Sequence, residues 1–167
     1  MMIPIANPDI GNEGKERVDD VLDGGMLADG PEVREFESEF ADYCGAERGV
    51  AASNGTTALH AALEALGIGD GNRVLTSPFS FIASANAIRF VGTDPVFAAI
   101  DPETYNLDSN AVESVVTEED VNAIIAVHLY GLPVAMDRLT DIADRYDPRG
   151  VWTSRPSTSS NIGGFDS

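Results

Sequence analysis

The sequence predicts an α/β fold, a mainly parallel sheet with helices packed on it. Three observations predict it. Short apolar runs at residues 74–76, 95–100 and 123–127 alternate with longer stretches whose apolar residues recur every three or four positions. The run Ala123-Ile124-Ile125-Ala126-Val127 is continuously apolar, as a strand covered on both faces requires. Small loops rich in Gly, Ser, Thr and His follow the predicted strands, and in such folds ligands gather at the carboxyl ends of strands.

The elements follow in order. Asn12 is placed to cap a helix running to about Asp23, with Val18, Val21 and Leu22 on one face and Gly24-Gly25 as its stop. Pro31 suits the first turn of a second helix. Val33, Phe36, Phe40 and Tyr43 form its stripe, read as core packing, and Gly45 ends it. Cys44, the single cysteine, sits near that end as a small apolar filler.

A short apolar run at 48–52 reads as a strand, followed by a helix over 56–66. Gly67-Ile68-Gly69-Asp70-Gly71 comes after a helix and before a strand and lacks the full G-x-G-x-x-G spacing. It reads as a helix stop and turn, not a dinucleotide loop. The strand at 74–76 turns through Ser77-Pro78-Phe79 into a helix over 80–90. The strand at 95–100 ends at Asp101-Pro102, and Asp108 caps a helix over 109–116. The strand at 123–127 leads into the loop His128-Leu129-Tyr130-Gly131. A last helix carries Met136, Leu139, Ile142 and Ala143 and ends near Asp147.

Composition narrows the function. Of 167 residues, 43% are apolar, which suits one globular domain with a real core. No apolar run reaches membrane-spanning length, and the start lacks a basic segment followed by a long apolar one. With one cysteine, a reducing cytoplasm is the expected compartment. Twenty-eight acidic residues face ten basic ones, for a net charge of −18. That charge repels nucleic acid and anionic membranes, so neither is an expected partner. The acids are spread along the chain, as on the solvated surfaces of proteins from salt-loving microbes. Nine of the ten cations are arginine, which leaves Lys15 as the only lysine. His60 and His128 lie too far apart to signal a metal site, so no metal is expected.

The stretch Ala51-Ala52-Ser53-Asn54-Gly55-Thr56-Thr57-Ala58-Leu59-His60 carries the sharpest chemistry. A strand, a glycine turn and a helix N-terminus present N–H groups without intrahelical partners, and the helix dipole favours an anion there. Gly55 permits close approach of a phosphate, and Thr56 and Thr57 add hydroxyl donors. An ordinary N-cap is the plainer reading of the same residue types. The other loops at strand ends, 79–81 and 128–130, raise the anion-site reading by sharing its location.

The order of motifs closely resembles the DegT/DnrJ/EryC1/StrS group of sugar-nucleotide aminotransferases. The carrying residues are Gly30-Pro31-Glu32-Val33-Arg34-Glu35-Phe36-Glu37, Asn54-Gly55-Thr56-Thr57-Ala58-Leu59 and Ser77-Pro78-Phe79-Ser80-Phe81. They continue through Thr93-Asp94-Pro95-Val96-Phe97, Ile100-Asp101-Pro102-Glu103-Thr104-Tyr105-Asn106-Leu107 and Val127-His128-Leu129-Tyr130-Gly131. The resemblance runs from about Ile3 to Asp147. It implies the N-terminal part of the large domain of an aspartate-aminotransferase-like fold (fold type I) and pyridoxal 5'-phosphate as cofactor. It also implies a keto-sugar nucleotide and an amino-acid donor as substrates, a homodimer, and a place in polysaccharide or other glycan biosynthesis. Thr56 and Thr57 resemble the pair that holds the cofactor phosphate, with Gly55 allowing its approach. Phe81 resembles the aromatic residue stacked on the pyridine ring. His128 and Tyr130 lie in a loop that borders the site and are carried as site-lining candidates. Leu132 stands where the family has a glutamine, so no substrate contact is assigned there.

The resemblance also implies two groups that these residues lack. The Schiff-base lysine and the carboxylate that pairs with the pyridinium nitrogen follow the last matched helix in the family, so no catalytic residue is assigned in this chain. Lys15, beside Glu13 and Glu16 in a charged helix, reads as a surface residue. Residues 148–167 have no periodicity. Their first ten positions contain no acid, and they read as an irregular, non-family tail of frameshift or rearranged origin behind a domain part at 1–147. A truncated sheet of this kind is expected to leave an edge unpaired and to be marginal at low salt. Two readings of function stand. One is the N-terminal part of a pyridoxal-phosphate aminotransferase, incompetent alone. The other is a non-catalytic module that binds a phosphate compound or complements a partner.

Overall fold

The computed structural model describes residues 10–152, which form two compact units dividing between Ala51 and Ala52.

The first unit is a helix pair, α1 (Asn12–Gly24) and α2 (Pro31–Cys44). The N-cap of α1 is Gly11, so Asn12 is its first helical residue and not its cap. Gly25, in the left-handed conformation at φ 71°, closes α1 by donating its N–H to the Val21 carbonyl. Arg17 pairs with Glu32 at 2.5 Å and with Glu35, tying α1 to α2. The stripe on α2 is not a core. Phe36, Phe40 and Tyr43 are 54%, 52% and 73% exposed. Two helices are too few to enclose it, and the rings instead lean on one another along α2, with centroids 5.7 and 6.4 Å apart. The segment at 48–52 forms no strand. Its Ala51 N–H is donated to Glu37 Oε1 at 2.8 Å, a side-chain acceptor in place of a neighbouring strand.

The second unit holds α3 (Gly55–Ala65), β1 (Arg73–Thr76), α4 (Ala83–Phe90), β2 (Asp94–Phe97) and α5 (Ser109–Glu118). It continues with β3 (Ala123–Ala126), a short 3-10 turn (Leu129–Gly131), α6 (Met136–Tyr146) and β4 (Arg149–Trp152). The four strands are all parallel, in the order β2-β1-β3-β4. Alternate side chains of a strand point to opposite faces, and the core divides accordingly. Leu75, Ile124 and Ala126 pack with Val112, Val116, Leu139 and Ile142 of α5 and α6. Val74, Ala123 and Ile125 pack with Leu63, Ala87, Ile88 and Val91 on the α3 and α4 side. All four residues of β3 are buried, as its apolar run requires. Thr76, fully buried, donates its hydroxyl to the Ile125 carbonyl at 3.1 Å and so keeps its polar atom paired inside the sheet.

Two strands differ from expectation. β2 stops at Phe97, because Ile100 leaves the sheet to form a single antiparallel bridge with Leu107. The segment expected to be irregular begins instead with β4, where backbone pairing of Ala123–Ala126 with Arg149–Trp152 supplies order that side-chain periodicity did not announce. The rest of that tail lies outside the described residues.

The chain steps from β1 to β2 in one direction and then crosses to β3 on the other side of β1. The loops leaving β1 and β3 therefore run to opposite faces of the sheet. The crevice between two such carboxyl ends is where α/β sheets bind ligands.

Candidate functional site

At that crevice lies an open cleft of about 510 Å3. Its lining comes from three places. Asn54, Gly55, Thr56, Ala58, Leu59 and Ala62 belong to the start and one face of α3; Phe81, Ala83 and Ser84 lead into α4; Val127 follows β3. None of these residues is ionisable, in a chain of net charge −18.

The start of α3 is built by Asn54. Its backbone is extended, at φ −168° and ψ 169°, and its side chain accepts the Thr57 N–H at 3.0 Å. Its carbonyl accepts the Ala58 N–H at 3.0 Å. The Thr57 hydroxyl donates to Asn54 Oδ1 at 3.2 Å. The cap thus engages Thr57 and leaves the N–H groups of Gly55 and Thr56 with no acceptor among the described residues. Both of those residues line the cleft, whereas Thr57 does not. A Cβ built on Gly55 meets nothing within 4 Å, so no packing inside the protein calls for glycine there. What glycine leaves open at that place is the backbone itself. Two free N–H groups, a half-buried threonine hydroxyl and no carboxylate make a donor set suited to a phosphate.

Phe81 precedes α4 and is 79% exposed, with its ring at the cleft. The expected helix at 80–90 begins only at Ala83, because the Ser77 hydroxyl accepts the Phe79 N–H at 3.1 Å and holds the preceding segment in a turn. Phe81 is thereby presented from a loop rather than packed into the core.

His128 and Tyr130 do not line the cleft. His128 is buried, and its Nδ1 accepts the Val134 N–H at 3.1 Å. Tyr130 is 98% exposed and adopts a left-handed conformation at φ 50° and ψ 27°. That conformation costs about 1–2 kcal/mol for a non-glycine residue. The turn carrying it is clamped by Asn106, itself buried. The Asn106 Oδ1 accepts the Leu129 N–H at 3.0 Å, and its Nδ2 donates to the Leu132 carbonyl at 3.0 Å. Asn106 is held in turn by the loop at 101–106. There the Asp101 carboxylate accepts the Thr104 N–H at 2.8 Å, the Thr104 hydroxyl at 3.0 Å and the Glu103 N–H at 2.9 Å. These bonds, the Thr104 N–H foremost, hold the Asp101 carboxyl below the usual carboxylate range.

Sequence reasoning missed Asn54 as the organiser of the loop, Ser84 as a lining residue and Asn106 as the clamp. The N-cap preference of asparagine was the signal for the first. Nothing local marks the other two, because their roles depend on residues far along the chain.

The model of the DegT/DnrJ/EryC1/StrS aminotransferase family matches residues 8–148. The chain is 40% identical over 146 residues to GDP-perosamine synthase of Caulobacter vibrioides, covering 87% of this chain and 39% of that protein. It is 41% identical over 126 residues to UDP-2-acetamido-2-deoxy-3-oxo-D-glucuronate aminotransferase of Pseudomonas aeruginosa, covering 75% of this chain and 35% of that one. The PLP-form of a putative sugar aminotransferase from Streptococcus pneumoniae superposes with a TM-score of 0.81 at 29% identity. That match covers 94% of this chain and 39% of the other. The chain thus spans about two fifths of the length of the proteins it matches.

Proposed function

The chain belongs to the DegT/DnrJ/EryC1/StrS aminotransferase family, and we propose from that premise that it is the N-terminal part of a pyridoxal-phosphate-dependent aminotransferase acting on keto-sugar nucleotides. An amino acid is the amino donor, and the product feeds glycan or cell-surface polysaccharide synthesis. The observation that carries the reading is the uncharged cleft at the switch between β1 and β3, with the open N–H groups of Gly55 and Thr56 on one side and the Phe81 ring on the other.

Pyridoxal phosphate supplies an electron sink for breaking bonds at the amino-bearing carbon. The residues present fit its binding. Gly55 and Thr56 hold the phosphate at the head of α3, and Thr57 reaches it only by giving up its bond to Asn54. Phe81 covers the ring and keeps water from that face, worth about 1 kcal/mol beyond area burial. Asn106 fixes the turn bearing Tyr130 and the Val134 N–H is donated to His128, and neither Tyr130 nor His128 is assigned a contact with the cofactor.

Lys15 is exposed on α1 and serves no chemical step. The lysine amine and the carboxylate for the ring nitrogen are supplied from outside residues 1–167, and these residues alone do not transaminate. The working enzyme is a homodimer in the cytoplasm. No described helix is long and apolar enough to cross a membrane. The acidic surface suits a salt-rich cytosol.

Borohydride treatment of the 167-residue chain with pyridoxal phosphate tests this reading. Saturable binding without a pyridoxyl adduct on Lys15 is expected. A stoichiometric adduct there, with transaminase activity, would refute the assignment of the lysine to other residues. Binding that persists alongside a longer partner chain without restoring activity would favour the second reading, a non-catalytic phosphate-compound module.

A further inference from the structure

The cleft is flanked by the first turns of two helices. Gly55 and Thr56 open α3, and Ala83 and Ser84 open α4. The α4 end has no side-chain cap. Ser84 is 4% exposed and lines the cleft, and its hydroxyl makes no hydrogen bond among the described residues. The hydroxyl opens to the cleft, where water or a ligand oxygen completes its hydrogen bonding. The Ser84 N–H is donated to the Phe81 carbonyl at 3.4 Å, which ties the start of α4 to the loop that bears the aromatic ring.

We propose that Ser84 is a ligand-contacting residue of this cleft, its hydroxyl hydrogen-bonding an oxygen on the ring portion of the phosphate ester whose phosphate lies at Gly55 and Thr56. The proposal rests on the reading of the cleft as a pyridoxal-phosphate site. The lining supports a ring-borne oxygen over a second phosphate oxygen. Beside Ser84 the lining outside α3 is Phe81, Ala83 and Val127, all apolar, whereas the donors for a phosphate gather at the head of α3. A hydroxyl in such a surround fixes which way a planar ring lies by rewarding one orientation.

The test uses the 167-residue chain, titrated calorimetrically with pyridoxal 5'-phosphate and separately with inorganic phosphate. Ser84→Ala removes a hydroxyl that pairs with no described protein group, so its melting temperature should match that of the unsubstituted chain. Its affinity for pyridoxal phosphate should fall about fivefold. Its affinity for inorganic phosphate should not change, and Ser84→Thr, which keeps the hydroxyl, should restore the loss. Equal weakening toward both probes would overturn the proposal by placing Ser84 at the phosphate. Unchanged pyridoxal-phosphate affinity in Ser84→Ala would overturn it while leaving the cofactor reading intact. Failure of the unsubstituted chain to bind pyridoxal phosphate would overturn that reading and the proposal together.

Discussion

Asn54 and Thr57 are bound twice over: one carboxamide oxygen accepts both the backbone N–H and the hydroxyl of the threonine, at 3.0 and 3.2 Å. A hydroxyl has one proton to give, and here it is given inside the loop. The two adjacent threonines therefore have different standing, with Thr57 completing the cap and Thr56 facing the cleft. Asn54→Ala is expected to lower stability by about 1 kcal/mol, the usual worth of an N-cap. Urea unfolding of the two proteins measures it. A change below a few tenths of a kcal/mol would mean that the cap does not organise the loop.

Phe81 is mostly exposed and makes little core contact. Phe81→Ala should leave the melting temperature unchanged to within the effect of an ordinary surface substitution. Pyridoxal-phosphate affinity should fall about fivefold, the worth of one aromatic contact, with no effect on inorganic phosphate. A large loss of thermal stability would instead make Phe81 a packing residue.

The Asp101 carboxyl titrates below its ordinary value, held there by the Thr104 N–H first, then the Thr104 hydroxyl and the Glu103 N–H. A depressed folded value contributes stability that is present above the unfolded value of about 3.9 and is lost as pH falls through the folded one. The stability difference between the unsubstituted chain and Asp101→Asn should therefore be constant above about pH 5 and shrink below about pH 4. Denaturant unfolding at a series of pH values checks the sign. A difference that grows toward low pH would contradict it.

Net charge of −18 on 167 residues implies self-repulsion that salt screens. The melting temperature should rise as sodium chloride is raised from low to molar concentration. Most of the gain at low salt comes from screening, since the Debye length is already about 3 Å at 1 M. A melting temperature independent of salt would remove the argument for a salt-adapted surface.

Much of the fold was legible because its signals are local. The apolar run of β3, the proline and glycine bounding α2, and Asp108, which accepts the Asn110 N–H at 2.9 Å, each carry their meaning in a few consecutive residues. The failures share a cause. Whether 48–52 becomes a strand depends on a neighbour to pair with, and among the described residues of the first unit none forms a strand. Whether Phe36, Phe40 and Tyr43 are core depends on what encloses them, which their spacing does not contain. β4 is the converse case, an unpatterned segment made a strand by β3. At the site, residue type and position pointed to Gly55, Thr56 and Phe81. The division of labour between Thr56 and Thr57 needed the direction of one hydroxyl. Asn106 acts across more than twenty residues of sequence, beyond any local pattern.

The central claim is that the head of α3 holds the phosphate of a pyridoxal-phosphate cofactor. The most direct test is calorimetric titration of the 167-residue chain with pyridoxal phosphate, repeated with inorganic phosphate as competitor and with Thr56→Val and Thr57→Val. One-to-one binding is predicted, displaced by phosphate, weakened about fivefold or more by Thr56→Val and less by Thr57→Val. Binding that phosphate does not displace and that Thr56→Val leaves unchanged would contradict it.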